Sequence, residues 1–119
     1  MILADTCVWV DHIRKADPRL SLLLANDQLL GHPFVTGEVA CGSLARRSLT
    51  LTLLAELPSA VLAHDDEAME LMARQGLMGI GIGYIDVHLL AATLLTHGAT
   101  LWTRDKRLAA AATRLGVAA

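Results

Sequence analysis

The sequence predicts an α/β fold on a mostly parallel sheet of four or five strands. Three observations carry this expectation. Short apolar runs recur at Met1–Ala4, Gln28–Leu30, Ala60–Ala63 and Thr100–Thr103, with a last stub at Val117–Ala119. The stretches between them carry helical spacing and capping residues, and strands separated by helices imply βαβ units. The chain has 119 residues, enough for one domain over 1–119 with a core of its own.

Each element has a local reason. Met1–Ala4 reads as the first strand. Thr6 precedes a helix ending near Lys15, with Asp11 paired to Arg14 and Lys15 at helical spacing. Asp17-Pro18 is a cap followed by a first-turn proline, which starts a second helix. Gln28–Leu30 is a brief strand closed by Gly31-His32-Pro33. Phe34-Val35-Thr36 leads into a helix with Thr36 as its cap and Glu38 in its first turn. Ser48–Glu56 is a helix ended by Pro58, and Ala60–Ala63 is a strand. Asp65 caps a helix running to about Gln75, whose positive end suits Asp66 and Glu67. Gly76, Gly79, Gly81 and Gly83 mark a loop. Ile85–His97 is a helix closed by Gly98. Thr100–Thr103 is a strand, and Asp105–Leu115 is an alanine-rich helix ended by Gly116. No internal repeat, linker or low-complexity tract interrupts this alternation.

Composition excludes several classes. Apolar residues make up 54 % of the chain and mean hydropathy is +0.47, which argues against disorder. The longest uncharged stretch, Val87–Thr103, holds two histidines and several threonines, so it is no membrane span. The opening MILADTCVWV has no basic region and is interrupted by Asp5, unlike a signal peptide. Cys7 and Cys41 lack the CxxC spacing of a zinc site or a disulfide framework. A reducing, cytoplasmic setting is the expectation. Net charge is −2, divided as −5 over residues 1–70 and +3 over residues 71–119. Aromatic residues, at 3 %, are too few for a broad base-stacking platform. So much apolar surface on a small chain predicts a face covered by a partner or a second copy.

The twelve acids sort by elimination. Eight have ordinary explanations as caps, early-turn residues, loop residues or partners of nearby cations. Asp5, Glu38, Asp86 and Asp105 do not. Asp5 ends the first strand, Glu38 and Asp86 open helices, and Asp105 follows the strand at Thr100–Thr103. In an open parallel sheet, strand ends and helix starts meet at one edge, where ligands bind. Four acids from distant positions are therefore expected to share a crevice. Asp86 has Leu89, Leu90 and Leu94 on its face and no cation within four residues. A charge on an apolar stripe needs a partner or a metal. Clustered carboxylates repel, and a hard cation such as Mg²⁺ or Mn²⁺ reverses that cost. Such an ion activates water and stabilises charge on a phosphoryl oxygen, as phosphodiester hydrolysis requires. Arg104, Lys106 and Arg107 beside Asp105, with Arg46 and Arg47, form candidate phosphate-binding residues.

Three segments resemble the PIN-domain ribonucleases, specifically the VapC-type toxins of toxin–antitoxin pairs. ILADTCVWVDHIR resembles the family's strand-Asp-Thr/Ser opening, and FVTGEVACGSL its second-acid helix. GIGYIDVHLLAATLLTHGATLWTRDKRL resembles its third-acid helix, following strand and fourth acid. The resemblance implies that Asp5, Glu38, Asp86 and Asp105 form a catalytic, metal-binding quartet, with Thr6 and Thr103 as supporting hydroxyls. It further implies a three-layer α/β/α domain, a metal-dependent endoribonuclease using Mg²⁺ or Mn²⁺, an RNA substrate, a homodimer and a cognate antitoxin. Cys7 departs from the Ser or Asn found in many relatives.

Two alternatives belong to other classes. A receiver-like phosphoacceptor has similar architecture but opens with adjacent acids, whereas Asp5 stands alone; Asp65, after the third strand, is its candidate phosphoacceptor. A catalytically silent PIN-like binding module would leave the four acids without a role.

Overall fold

A computed structural model describes residues 1–119. Its central strand is β1 (Ile2–Ala4), flanked by β2 (Leu29–Leu30) and β3 (Thr100–Trp102), both parallel to it. Leu3 stands opposite Leu30 on one side and Leu101 on the other. Leu3 and Ala4 are wholly buried, as a central parallel strand between helical layers requires.

The sheet has three strands rather than the expected four or five. The expected strand Ala60–Ala63 does not form, and Ser59 just before it makes an isolated parallel bridge to Gly31; Val117–Ala119 contributes one such bridge, Ala118 to Leu101. On the first edge Pro58 has no N–H, and its carbonyl accepts from Gly31 N instead. Beyond Ala60 the chain leaves the sheet, and Val61 N–H donates to Thr96 Oγ1 at 2.8 Å. On the other edge, only Val117 O and Ala119 N reach the backbone of Leu101.

Seven helices join these strands: α1 (Thr6–Arg14), α2 (Pro18–Ala25), α3 (Pro33–Ala40), α4 (Arg47–Glu56), α5 (Asp65–Gln75), α6 (Tyr84–Leu95) and α7 (Lys106–Arg114). None is long and apolar enough to cross a membrane. Asp17 caps α2 by accepting from Leu20 N at 3.0 Å, with Pro18 in the first turn, as the sequence predicts. The start of α3 differs. His32, not Thr36, is the cap, its Nδ1 accepting from Phe34 N at 3.0 Å. Pro33 decides this, because its fixed φ and missing N–H suit the first helical position. Glu38 consequently lies in the second turn and does not open the helix. Asp65 is likewise the first residue of α5 and not its cap. There Glu67 reaches back to the backbone N–H of His64 at 2.9 Å, which leaves the Asp65 carboxylate for other contacts.

Helix α6 is buried continuously from Val87 to Thr93. Leu89 and Leu90 are fully enclosed, but Leu94 is 43 % exposed, so the expected stripe fails at its last position. Gly81, at φ +85°, closes the preceding loop in a conformation that side chains disfavour. Arg107 of α7 packs over it, filling the space a Cβ would take.

Candidate active site

The parallel topology gathers the four unexplained acids. Asp5 follows β1 and caps α1, its Oδ1 accepting from Thr6 N at 2.7 Å. Asp105 follows β3 and caps α7, its Oδ1 accepting from Arg107 N and Leu108 N at 2.9 and 3.0 Å. Glu38 comes from α3, and Asp86 from the first turn of α6. All four line one open cleft of about 560 Å³, together with Thr6, Cys7, Asp11 and Arg104. Strand ends and helix starts meet here because every crossover is parallel, so each chain segment arrives at the same edge.

Two hydroxyls tie the acids across the fold. Thr6 Oγ1 donates to Glu38 Oε1 at 2.6 Å, joining α1 to α3. Thr103 Oγ1 donates to Asp5 Oδ2 at 2.8 Å and accepts from Asp105 N at 3.1 Å, joining both strand ends. Asp86 has no such link, and its Oδ2 accepts from Gly83 N at 2.9 Å within its own helix start. Burial pushes the Asp86 carboxyl up from the usual range. The Gly83 N–H opposes this, and the charges of Asp5, Asp105 and Glu38 add to it.

No three ligating side chains already enclose an ion-sized space. The donor chemistry nevertheless fits a hard divalent cation. Several carboxylates face one cleft, Asp5 is only 8 % exposed, and burial first, then like charges, raise the proton affinity of Asp86. An added positive charge relieves each of these costs.

The basic residues are less concentrated than expected. Arg104 reaches the cleft but is engaged twice, pairing with Asp11 and, through Nη2 at 2.6 Å, with Asp17 Oδ2. Its guanidinium also lies 5.7 Å from the centre of the Trp102 ring. Asp11 therefore pairs with Arg104 across the fold, not with Arg14 or Lys15. Lys106 and Arg107 are exposed on the first turn of α7 but do not line the cleft. Arg46 borders a separate apolar groove of about 390 Å³ with Trp9, Ile13 and Leu49, and Arg47 donates to Ala40 O at 2.7 Å. Neither belongs to the acidic cleft.

Two cleft residues had escaped the sequence reading. Cys7 Sγ lies 3.6 Å from Asp5 Oδ2 and 3.7 Å from Thr103 Oγ1. Asp11 lies four residues on from Cys7, on the same face of α1. That i,i+4 spacing was the available signal. Asp65, the phosphoacceptor candidate of the receiver alternative, does not line the cleft; its Oδ1 is held by Tyr84 and His88.

A protein-family model described as "PIN domain" matches residues 2–113. "Ribonuclease VapC32" of Mycobacterium tuberculosis (strain CDC 1551 / Oshkosh) is 48 % identical over 118 residues, covering 99 % of this chain and 95 % of that protein. The protein of the same name from strain ATCC 25618 / H37Rv gives the same figures. No solved structure matches significantly.

Proposed function

The chain belongs to the PIN-domain family and resembles its VapC-type toxins over nearly its full length, and on that premise we propose that it is a metal-dependent endoribonuclease. In this proposal it is a single domain over 1–119 that acts as the toxin of a toxin–antitoxin pair. The observation that carries the chemistry is the arrival of Asp5, Glu38, Asp86 and Asp105 at one cleft from four separate segments.

These four residues would hold Mg²⁺ or Mn²⁺. Bound there, the cation supplies Lewis-acid chemistry, offsetting the carboxylates' repulsion and stabilising negative charge on the phosphoryl oxygen of a scissile RNA linkage. The chain's own residues keep the site in order. Thr103 fixes Asp5 and the backbone of Asp105 together, Thr6 restrains Glu38, and Gly83 N–H orients Asp86. The caps of α1 and α7 hold one oxygen each of Asp5 and Asp105, so these carboxylates lose little side-chain freedom on binding an ion. Purified protein incubated with mixed RNA is expected to cleave it when Mg²⁺ or Mn²⁺ is present and to stop on chelation. Equal cleavage in excess chelator, or none with either ion, would refute the proposal.

RNA carries its own repulsion toward an acidic cleft, and a positive rim must offset it. Lys106 and Arg107, free of carboxylate partners, are better placed for this than Arg104, which Asp11 and Asp17 engage. The double change Lys106→Gln with Arg107→Gln is expected to weaken RNA binding about equally for all sequences and to reduce the salt slope by about 1–2. Affinity measured at several salt concentrations checks this, and an unchanged slope would remove both residues from the interface.

Partners follow from the same premise. A cognate antitoxin is proposed to insert a basic side chain among the cleft carboxylates, where an Arg would pair bidentately. A homodimer is supported by exposed apolar side chains, among them Met69 and Met78, each more than half exposed.

A further inference from the structure

Asp5 and Glu38 are tied by their carboxylates to Thr103 and Thr6 of other segments, and the Asp105 backbone shares the Thr103 hydroxyl, whereas the Asp86 carboxylate bonds only to Gly83 N–H at its own helix start. Its place relative to Glu38 therefore depends on how the first turns of α6 are held. Beside the core packing of Val87, Leu89 and Leu90, those turns are held by a row of rings. Tyr84 and His88 lie one turn apart with ring centres 4.7 Å apart, edge to face at 87°. Phe34 of α3 meets His88 at 5.0 Å and 74°, and His32 continues the row at 5.2 Å from Phe34. Phe34 stands four residues before Glu38, on the same helix. The row thus links the helix bearing Glu38 to the helix bearing Asp86.

The far end of the row is anchored by α5. Asp65 Oδ1 accepts from Tyr84 OH at 2.9 Å and lies 3.0 Å from His88 Nε2. Two groups of α6 converge on one oxygen. The Asp65 side chain is itself 83 % exposed, so the pair adds little to global stability. Its geometry is specific all the same. It fixes the ring orientation of a histidine that is only 3 % exposed and sits two residues from Asp86.

We propose that Asp65, Tyr84, His88 and Phe34 are positioning residues that set the start of α6 against α3, and thereby set the affinity of the acidic cleft for a divalent cation. This rests on the metal-dependent function proposed above. None of the four lines the cleft, so their effect passes through Asp86.

The test is Mn²⁺ binding to the full chain, followed by the electron paramagnetic resonance of the free ion, with thermal unfolding of each variant alongside. Asp65→Ala is expected to weaken binding about tenfold, the lower end of the effect of groups that orient metal ligands. Asp65→Asn keeps an oxygen acceptor for Tyr84 and His88 while losing the charge. Asp66→Ala removes the same charge from the same turn, where Asp66 bonds only to Glu67 N. Both are expected to bind Mn²⁺ within about twofold of the unsubstituted chain, because an exposed charge outside the site is screened. Unfolding midpoints of all three should agree within a few degrees. Unchanged binding in Asp65→Ala would overturn the proposal, and so would equal weakening by Asp65→Asn or Asp66→Ala. No Mn²⁺ binding by the unsubstituted chain, or undiminished binding by Asp86→Asn, would instead refute the metal site and this inference with it.

Discussion

Replacing Asp86 by Asn is expected to lower RNA cleavage more than about 100-fold, beyond the usual effect of removing a group that merely orients a metal ligand. The same change should raise the thermal midpoint of the metal-free chain. Asn keeps the shape and an oxygen for the Gly83 N–H, while removing a charge that burial and three acidic neighbours disfavour. The Asp86 carboxyl is raised in the folded chain, so its contribution to stability is present at low pH and is lost as pH rises through the folded value. At neutral pH without cation the native side chain carries that cost in full, and the amide does not. Asp5→Asn should match the loss of cleavage without the gain in stability. Both Asp5 oxygens accept hydrogen bonds, from Thr6 N and Thr103 Oγ1, and an amide can serve only one of them as acceptor. Cleavage rates and unfolding midpoints in chelator check both variants. Full activity in either would end its assignment to the site.

Acidification should destabilise the chain through His32. This ring is 4 % exposed, its Nδ1 accepts from Phe34 N, and its Nε2 has no partner. Accepting at Nδ1 places the proton of the neutral ring on Nε2. Burial first, and His88 second, bring its pKa down to about 4 from 6.5. Between those values the unfolded chain binds a proton that the folded chain does not. Stability therefore rises with pH across that window and is lost as pH falls through it. The loss reaches about 3 kcal/mol near pH 4, at roughly 1.4 kcal/mol per unit. Asp86 acts in the opposite sense, which makes a variant necessary to isolate the histidine. His32→Asn keeps a side-chain cap for α3 but does not titrate. Urea unfolding at pH 7 and pH 4 should show a markedly smaller pH dependence in this variant, whatever its absolute stability. An identical dependence in both chains would exclude His32 as the cause.

Much of the site was legible because its signals are local. Asp5 and Asp105 each follow an apolar run at the strand edge where ligands bind; the structure adds that both also cap the helices that follow, an ordinary role that the elimination denied them. Capping chemistry marks Asp17 before Pro18. Asp86 stood out because its near neighbours are apolar and carry no cation. The failures were of another kind. Thr36 has a cap's composition, but His32 takes that role, because Pro33 starts the helix four residues earlier. The runs at Ala60–Ala63 and Val117–Ala119 have strand composition, yet a strand needs a neighbour along its length; only Ser59 bridges just before the first, and only Ala118 within the second.

Local spacing by itself determined the alternation of strands and helices, the Asp17 cap of α2, and the four acids set apart from the other eight. These depend on side chains within about one helical turn, whose contacts follow from backbone geometry alone. Only the tertiary structure decided that Arg104 pairs with Asp11 and Asp17, that Thr103 binds Asp5, and that Asp65 holds Tyr84 and His88. Those partners lie 19 to 98 positions apart in the chain. No periodicity records such pairings, because they exist only once the parallel crossovers have brought distant segments to the same edge of the sheet.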